Sequence, residues 1–179
     1  MVFKVFTAKD GKEIVIRSIL PSDIKRAKEF ADFLNSIIIE GEFLVFNTKK
    51  TTKEEKEVLK IWNANQGKNS FHIIAEYKGK IIGKAEIARE KEIRSHVAGL
   101  GLALADGYRE IGIGTEIMKI LISEAEKWNL KFLRLDVIAT NKRAQGIYKK
   151  FGFREVARIP QQYQIKKKLV DEIIMLKEL

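Results

Sequence analysis

The sequence predicts a mixed α/β domain in which helices cover both faces of a central sheet. Short apolar runs suited to strands alternate with segments whose apolar residues recur at helical spacing. The predicted order, β-α-α-β-β-β-α-β-α-β-β, is typical of that architecture. A chain of 179 residues with 45% hydrophobic and 32% charged residues is globular rather than disordered. We therefore expect residues 1–179 to form one domain.

The first half of the chain is predicted to contribute one strand and two helices. Residues 13–20 alternate apolar and polar positions, as a half-buried strand does. Pro21 then begins a helix with apolar positions at helical spacing. Residues 38–50 show no clean period and are predicted to form a loop. Thr51, with Glu54 three residues on, matches a capping box and begins the second helix.

The second half is predicted to alternate strands and helices. The dipeptide Lys78-Gly79 predicts a tight hairpin between the first two strands of this half. Asn141 begins the last helix and Gly152 ends it. A basic loop at residues 160–168 is predicted to separate the final two strands. The predicted strands are residues 71–77, 80–88, 96–105, 132–138, 153–158 and 169–176.

Residues 109–115 lie between a predicted buried strand and a long predicted helix. Glycines in this segment let successive N–H groups converge on an anion at the positive end of the helix, which predicts a phosphate-binding turn. A Walker loop does not fit, because Thr115 and Glu116 follow Gly114 where a lysine and a hydroxyl are needed. The dinucleotide fingerprint does not fit either, because Ile117 stands where a third small residue is required.

Two motifs together resemble the acetyl-CoA-binding signature of the GNAT superfamily of N-acetyltransferases. They occur on that family's strand-helix-strand-helix order, and read Arg109-x-x-Gly112-x-Gly114 and Asn141-x-Arg143-Ala144-x-x-Ile147-Tyr148-x-Lys150-x-Gly152-Phe153. The resemblance implies a mostly antiparallel central sheet with a splay between its two central strands. The ending Asp171-Glu172-x-x-Met175 is similar to the branch that contains ribosomal-protein and small-amine acetyltransferases.

The resemblance also implies which residues bind acetyl-CoA. The strand residues Leu102, Ala103 and Leu104 pair with the pantetheine arm and polarise the thioester carbonyl. The last helix adds Asn141, Ala144 and Tyr148 on one face. Basic residues such as Lys142, Arg143 or Lys149 suit the 3′-phosphate. The pyrophosphate is held by the amides of Arg109, Glu110, Ile111, Gly112, Ile113, Gly114 and Thr115.

Two positions depart from the family pattern. Glu110 stands where the family places glycine or another small residue, and its carboxylate repels a pyrophosphate unless it points to solvent. We expect weaker cofactor binding, with Lys119 or the basic last helix compensating. Gly146 lies inside the last predicted helix, at a cost of roughly 1 kcal/mol relative to alanine, and suggests close approach of the cofactor or a strand.

Tyr148 and Glu86 are the predicted catalytic residues. The resemblance implies that the Tyr148 phenol protonates the leaving sulfur as general acid. A protonated amine has a pKa of about 10, so a base or a water chain must accept its proton. Glu86 on the preceding strand is the first candidate for that base, and His96, Glu40 and Glu42 are the others. Water remains an alternative to all four.

The expected activity is transfer of an acetyl group from acetyl-CoA, as co-substrate, to a primary amine by direct attack on the thioester. The acceptor is a protein N-terminus or a small-molecule amine, recognised by residues 38–50 and 160–168. The net charge of +10 leaves a second hypothesis open, a nucleic-acid- or ribosome-binding module without catalysis. Few aromatic residues near the basic stretch make nucleic acid the less favoured partner.

Composition excludes several other classes of protein. The absence of cysteine excludes disulfides, thiolate metal sites and a cysteine nucleophile, and with two histidines we expect no metal. No apolar run is long enough to span a membrane and the first residues lack a signal-peptide core, so we expect a cytoplasmic protein without a membrane partner. A homodimer stays open.

Overall fold

A computed structural model of the protein describes residues 1–41, 44 and 47–179. Four helices are present in this part of the chain: α1 Ala27–Glu40, α2 Thr52–Asn65, α3 Ile113–Lys127 and α4 Lys142–Lys150. Short 3-10 turns occur at Pro21–Arg26 and Glu92–Arg94. The strands are β1 Val2–Thr7, β2 Glu13–Ser18, β3 Ser70–Tyr77, β4 Lys80–Arg89, β5 Val97–Leu104, β6 Phe132–Ile138, β7 Arg154–Ile165 and β8 Lys168–Glu178.

These strands form one mixed sheet in the order β1-β2-β3-β4-β5-β6-β8-β7. Strands β5 and β6 pair in parallel, and the other described pairs are antiparallel. The parallel pair is connected through α3, as a parallel connection requires a crossover. The predicted fold class, a mixed and mostly antiparallel sheet with helices on both faces, is confirmed.

The two central strands separate after a short paired stretch. Strand β5 pairs with β4 along nearly its whole length, up to Leu104 opposite Gly83. Its pairing with β6 covers three residues, Val97 to Gly99 opposite Phe132 to Arg134. Beyond Gly99 the backbone of β5 faces β6 without ladder hydrogen bonds between them. This is the splay that the family resemblance implied.

The two faces of the sheet are covered by different helices. On one face α3 and α4 pack through residues such as Ile117, Leu121 and Tyr148 against the alternate apolar side chains of the strands. On the other face α1 and α2 pack through Phe30 and Leu59. Because side chains of a strand alternate between faces, β4 and β5 each contribute to both cores. This arrangement holds the splay between two packed layers.

Local sequence signals explain where the helices begin and end. The capping box predicted for α2 is present, with Glu54 N donating to Thr51 Oγ1 at 3.2 Å and Thr51 N donating to Glu54 Oε2 at 2.8 Å. Helix α1 continues to Glu40 and ends at Gly41, whose φ of 72° suits glycine. The predicted loop at residues 38–50 therefore begins later than predicted, because its first three residues complete α1.

Two further predictions about the strands were wrong. Strand β1 was missed, because an irregularity in its pairing between Val2 and Lys4 breaks the alternation that identifies strands. The predicted basic loop at residues 160–168 is mostly a long β7–β8 hairpin. Its two turn residues, Lys166 and Lys167, have φ values of 47° and 66°, which is the conformation of a tight hairpin turn.

Candidate active site

A cavity of about 1000 Å³ occupies the splay and extends to the first turn of α3 and to α4. It brings together nearly all the residues that the sequence predicted to bind the co-substrate. Twelve of them line it, together with Glu86: Leu102, Ala103, Leu104, Arg109, Glu110, Ile111, Gly112, Gly114, Thr115, Asn141, Ala144 and Tyr148. The exception is Ile113, whose side chain is 1% exposed and packs in the core.

The turn before α3 has the geometry of an anion site. Gly112 precedes the helix with a φ of 102°, which a side chain would strain, and the amides of the first helical turn have no partners within the helix. A Cβ on Gly114 would lie 2.9 Å from Ile147 Cδ1, so glycine lets α3 and α4 approach closely here. Lys9 N donates to Ile111 O at 3.1 Å and holds the turn from the side. The residues present therefore fit a diphosphate.

The Arg109 side chain is engaged within the protein. Its guanidinium donates to both carboxylate oxygens of Glu40, at 2.5 and 2.7 Å, and its Nε donates to Leu104 O at 2.9 Å. The side chain is 12% exposed. Arg109 thus fixes the end of β5 to the end of α1 and shapes the turn.

Glu110 has a neutralising partner on α4. Its Oε2 lies 3.2 Å from Arg143 Nη2, and both side chains are substantially exposed. The basic last helix thus offsets this charge, whereas Lys119, the other predicted compensator, pairs with Glu116 at 2.7 Å. The φ of Glu110 is 64°, in the left-handed region that favours glycine. This explains physically why a glycine suits the position.

Helix α4 presents one face to the cavity, as predicted. Asn141 caps it, with Oδ1 accepting from Ala144 N at 3.1 Å. Gly146 lines the cavity, but a Cβ there would meet no atom within 4 Å, so no strand approaches it. Tyr148 is 7% exposed, and burial raises the pKa of its phenol to about 12. The phenol is therefore protonated at neutral pH and is able to donate to a group in the cavity.

Glu86 lies on β4 beside Gly101 of β5, where it lines the cavity. Burial alone would raise its pKa, but the ammonium group of Lys84 and a hydrogen bond from His72 outweigh burial and lower the pKa to about 2. The carboxylate is anionic at neutral pH and is a weak proton acceptor. The geometry suits direct contact with an amine, and the general-base role stays a prediction.

A second cavity of about 400 Å³ meets the first at Glu86. The two cavities share Glu86, Leu100, Gly101 and Asp136 in their linings. The second one extends along β5 past Gly99, toward the end of the strand opposite to the phosphate-binding turn. The splay is therefore reached from both ends, and the carboxylate of Glu86 stands where the two spaces join.

Several predicted candidates lie elsewhere. His96 is exposed, packs edge-on against Phe132 at 6.2 Å and lines neither cavity. Lys142 and Arg143 line the large cavity, whereas Lys149 does not. Glu42 lies outside the described residues. Of the predicted basic loop, Tyr163 reaches the large cavity, and its hydroxyl donates to Glu172.

Lys84 and Asp136 are among the lining residues that the sequence did not indicate. Lys84 lies two residues before Glu86 on β4, and Asp136 lies two residues after Arg134 on β6. Because side chains alternate along a strand, each lies on the same face as that neighbour. Nothing in their spacing indicated that this face borders the splay. In the described residues, no group of three or more His, Cys, Asp or Glu side chains could hold a metal, and no helix there is long and apolar enough to cross a membrane.

Two proteins are similar in sequence to part of this chain. The [Ribosomal protein bS18]-alanine N-acetyltransferase of Escherichia coli (strain K12) is 28% identical over 116 residues, which are 65% of this chain and 76% of that protein. The L-amino acid N-acetyltransferase AaaT of the same organism is 28% identical over 83 residues, 45% of this chain. The match spans about half of AaaT, 51% of its length.

Solved structures share the fold over nearly the whole chain. An acetyltransferase of the GNAT family from Streptococcus pneumoniae superposes with a TM-score of 0.82 and 25% identity, covering 93% of this chain and 100% of that one. The yncA protein of Salmonella typhimurium, whose structure includes its cofactor acetyl-CoA, has a TM-score of 0.79 and 17% identity over 93% and 94% of the two chains. The profile of the Acetyltransferase (GNAT) family matches residues 38–153. The resemblance predicted from the two motifs is thus confirmed, and the chain belongs to the GNAT acetyltransferase family.

Proposed function

We propose that this protein transfers the acetyl group of acetyl-CoA to a primary amine by direct attack of the amine on the thioester. The observation that carries the proposal is the large cavity, which joins the phosphate-binding turn, the unpaired edge of β5, Tyr148 and Glu86 in one space. Its anion-binding end, apolar walls and polar groups at the splay match the diphosphate, the pantetheine arm and the thioester in turn. The family to which the chain belongs supports the same reaction.

The proposed roles follow from position. The amides of the turn and of the first turn of α3 bind the diphosphate, with Lys142 and Arg143 close to the phosphate end. The backbone of Leu102, Ala103 and Leu104 pairs with the pantetheine arm in place of a neighbouring strand. An N–H group there polarises the thioester carbonyl as the amine attacks. Backbone geometry therefore supplies most of the binding.

Two side chains act at the reacting atoms in this proposal. The Tyr148 phenol, held protonated by burial, donates to the sulfur as the thiolate leaves. The Glu86 carboxylate, held anionic, accepts a hydrogen bond from the amine and orients its lone pair toward the thioester. The second cavity gives the amine access from the end opposite to the phosphates, and water there receives its proton.

We propose a protein N-terminus or a small-molecule amine as the acceptor. The activities named for two relatives support both classes, since one is an N-acetyltransferase of the alanine of a ribosomal protein and the other of L-amino acids. The cytoplasm is the proposed site of action, because acetyl-CoA and both classes of acceptor occur there.

Two measurements test the proposed function. Acetyl-CoA should raise the melting temperature, because a ligand at 100 times its Kd adds about 2.7 kcal/mol to the free energy of unfolding. Pantetheine, which lacks the diphosphate, is the matched control and should shift it much less. Thiol release with a panel of amines and N-terminal peptides then identifies the acceptor. Absence of a shift at millimolar acetyl-CoA, together with salt-sensitive RNA binding, would favour the nucleic-acid-binding alternative.

A further inference from the structure

The two carboxylate oxygens of Glu86 have different surroundings. Oε2 lies 3.2 Å from His72 Nδ1 and 3.7 Å from Lys84 Nζ. Oε1 stands over Gly101, where a Cβ would approach it to 3.1 Å. Because Gly101 has no side chain, Oε1 borders the place where the two cavities meet. Oε2 is therefore bound by groups of the protein, and Oε1 faces the cavities.

The His72 ring is held on every side. The residue is 5% exposed, its Nε2 lies 2.8 Å from Ser70 Oγ, and its face stacks on Trp62 at 4.5 Å and 15°. The Gln66 side chain bonds both backbone groups of His72, accepting from its N–H at 2.8 Å and donating to its carbonyl at 3.2 Å. The ring thus has one orientation, with Nδ1 aimed at Glu86.

The chemistry of these partners sets the hydrogen positions. An ionised carboxylate can only accept, so Nδ1 carries the hydrogen that is shared with Glu86. When the ring is neutral, Nε2 accepts from the Ser70 hydroxyl at 2.8 Å. This chain of donors from Ser70 through His72 to Glu86 is buried and does not touch either cavity except at the carboxylate.

We propose that His72 is a positioning residue for acetyl transfer: it holds Oε2 of Glu86 so that Oε1 faces the incoming amine. The inference rests on the proposed function, in which Glu86 contacts that amine. It also assigns a role to a side chain that the mechanism otherwise leaves unused. A histidine that served only to fill the core would not need its Nδ1 aimed at a carboxylate that lines both cavities.

The other charged groups near this pair do not replace His72. Lys84 lies 3.7 Å from Oε2, longer than a hydrogen bond, and its ammonium group also lies over the Trp62 ring at 4.4 Å. Glu55 of α2 is 3% exposed, and its Oε2 has no hydrogen-bond partner in the described residues. Burial raises the pKa of Glu55, and the charge of Lys84 acts in the opposite direction. Lys84 thus acts on Glu86 through its charge, and His72 supplies the directional contact to Glu86.

The first test reads the tautomer of His72 directly. The chain has two histidines, so replacing the exposed one with His96→Gln leaves a single imidazole for ¹⁵N–¹H correlation spectroscopy. We expect the tautomer with hydrogen on Nδ1 at neutral pH, and a changed Nδ1 signal in Glu86→Gln. A tautomer with hydrogen on Nε2 alone would overturn the proposal. This readout does not depend on activity, so it decides the pairing even if the proposed function fails.

The second test compares two substitutions by thiol release from acetyl-CoA, with the tripeptide amide of alanine as acceptor. His72→Asn keeps an N–H donor near the Nδ1 position, and His72→Leu removes it. We expect His72→Leu to lower kcat/KM for the peptide about ten- to a hundredfold, with the acetyl-CoA KM unchanged, and His72→Asn to recover most of the loss. Equal losses in both variants, or no loss in His72→Leu, would reduce His72 to a packing residue.

The pH profile separates positioning from packing. Loss of the His72 donor raises the pKa of Glu86, so the acid limb of kcat/KM should move to higher pH in His72→Leu, with Lys84 and Glu55 present in both proteins. A packing defect alone lowers the profile without moving it. If the wild-type protein binds acetyl-CoA but acetylates no amine, the proposed function fails, and the tautomer measurement still reports whether His72 donates to Glu86.

Discussion

Arg109 and Glu40 form a bidentate ion pair, with Nη1 and Nη2 of the arginine 2.5 and 2.7 Å from the two carboxylate oxygens. The pair joins the last residue of α1 to the turn that precedes α3, across 69 residues of sequence. Arg109 also donates to Leu104 O, at the end of the unpaired stretch of β5. One side chain therefore fixes the position of the phosphate-binding turn relative to the strand that would bind the pantetheine arm.

Arg109→Lys keeps the charge but loses the fork geometry and the hydrogen bond to Leu104 O. We expect the free energy of unfolding to fall by about 1–3 kcal/mol, because hydrogen bonds to charged groups are lost from a mostly buried site. The KM for acetyl-CoA should rise in parallel. Chemical denaturation and thiol-release kinetics measure the two effects. Arg158→Lys, in an exposed ion pair with Glu155, is the control, and equal effects in both variants would contradict the special role of Arg109.

Glu110→Gly should tighten binding of acetyl-CoA. The substitution removes a negative charge beside the diphosphate site, releases Arg143, and places glycine at a φ of 64°. Since the carboxylate is exposed, we expect about a two- to tenfold decrease in Kd, larger at low ionic strength. Calorimetric titration at two salt concentrations measures it. Glu110→Gln separates charge from backbone conformation, and an unchanged Kd in both variants at low salt would show that Glu110 does not face the ligand.

Tyr148→Phe should lower kcat about a hundredfold or more if the phenol donates to the leaving sulfur. Acetyl-CoA binding and stability should change little, because no hydrogen bond from the phenol to another side chain occurs in the described residues. With a pKa of about 12, the phenol stays protonated, so Tyr148 should cause no alkaline fall in rate below about pH 11. Tyr77→Phe, outside both cavities, is the control. An unchanged kcat in Tyr148→Phe would exclude the general-acid role.

Acid should destabilise the fold through Asp23. Arg17 donates to both oxygens of this buried carboxylate, at 2.8 Å each, and also binds Glu76. Burial opposes ionisation of Asp23, but the hydrogen bonds from Arg17 lower its pKa below the ordinary 3.8. The unfolded chain therefore takes up protons first, and stability that is complete above the ordinary pKa is lost as pH falls below it.

Asp23→Asn should accordingly lower the free energy of unfolding at pH 7 by about 3 kcal/mol, because Arg17 is left partly unpaired in a buried site. The remaining stability should depend less on pH between about 5 and 2. Denaturation at several pH values measures both effects. Asp32→Asn, in an exposed pair with Lys28, is the matched control and should change stability by about 0.5 kcal/mol or less. An equally steep pH dependence in Asp23→Asn would assign acid sensitivity to other groups.

The sequence predicted the helix ends that depend on contacts between residues close together in the chain. Thr51 and Glu54 identified their capping box, and Asn141 its helix start, because these interactions lie within four residues of chain. The long hairpin of β7 and β8 was missed because its pairing is irregular between Ile159 and Tyr163, where Pro160 interrupts the ladder. Strand periodicity is lost at such irregularities, although the strand continues.

An irregular strand pairing also prevented the sequence from predicting that His72 contacts Glu86. Counting back from the two-residue turn Lys78-Gly79 places His72 opposite Ala85. The ladder shifts by one residue between Ala75 and Glu76, and His72 lies opposite Glu86 instead. A shift of one residue exchanges the partners of a whole strand, so a single irregularity decided which carboxylate the imidazole meets. Long-range pairs such as Arg109 with Glu40 leave no local signal at all.

In the described sheet, three residue pairs between β5 and β6 join the two halves of the strand order. Everything from β1 to β5 lies on one side of this seam, and β6, β8 and β7 lie on the other. Beyond Gly99, the backbone groups of β5 that face β6 are left for a strand-like ligand to pair with. A bound pantetheine arm would therefore bridge the two halves of the sheet, so that binding of the ligand also strengthens the connection between them.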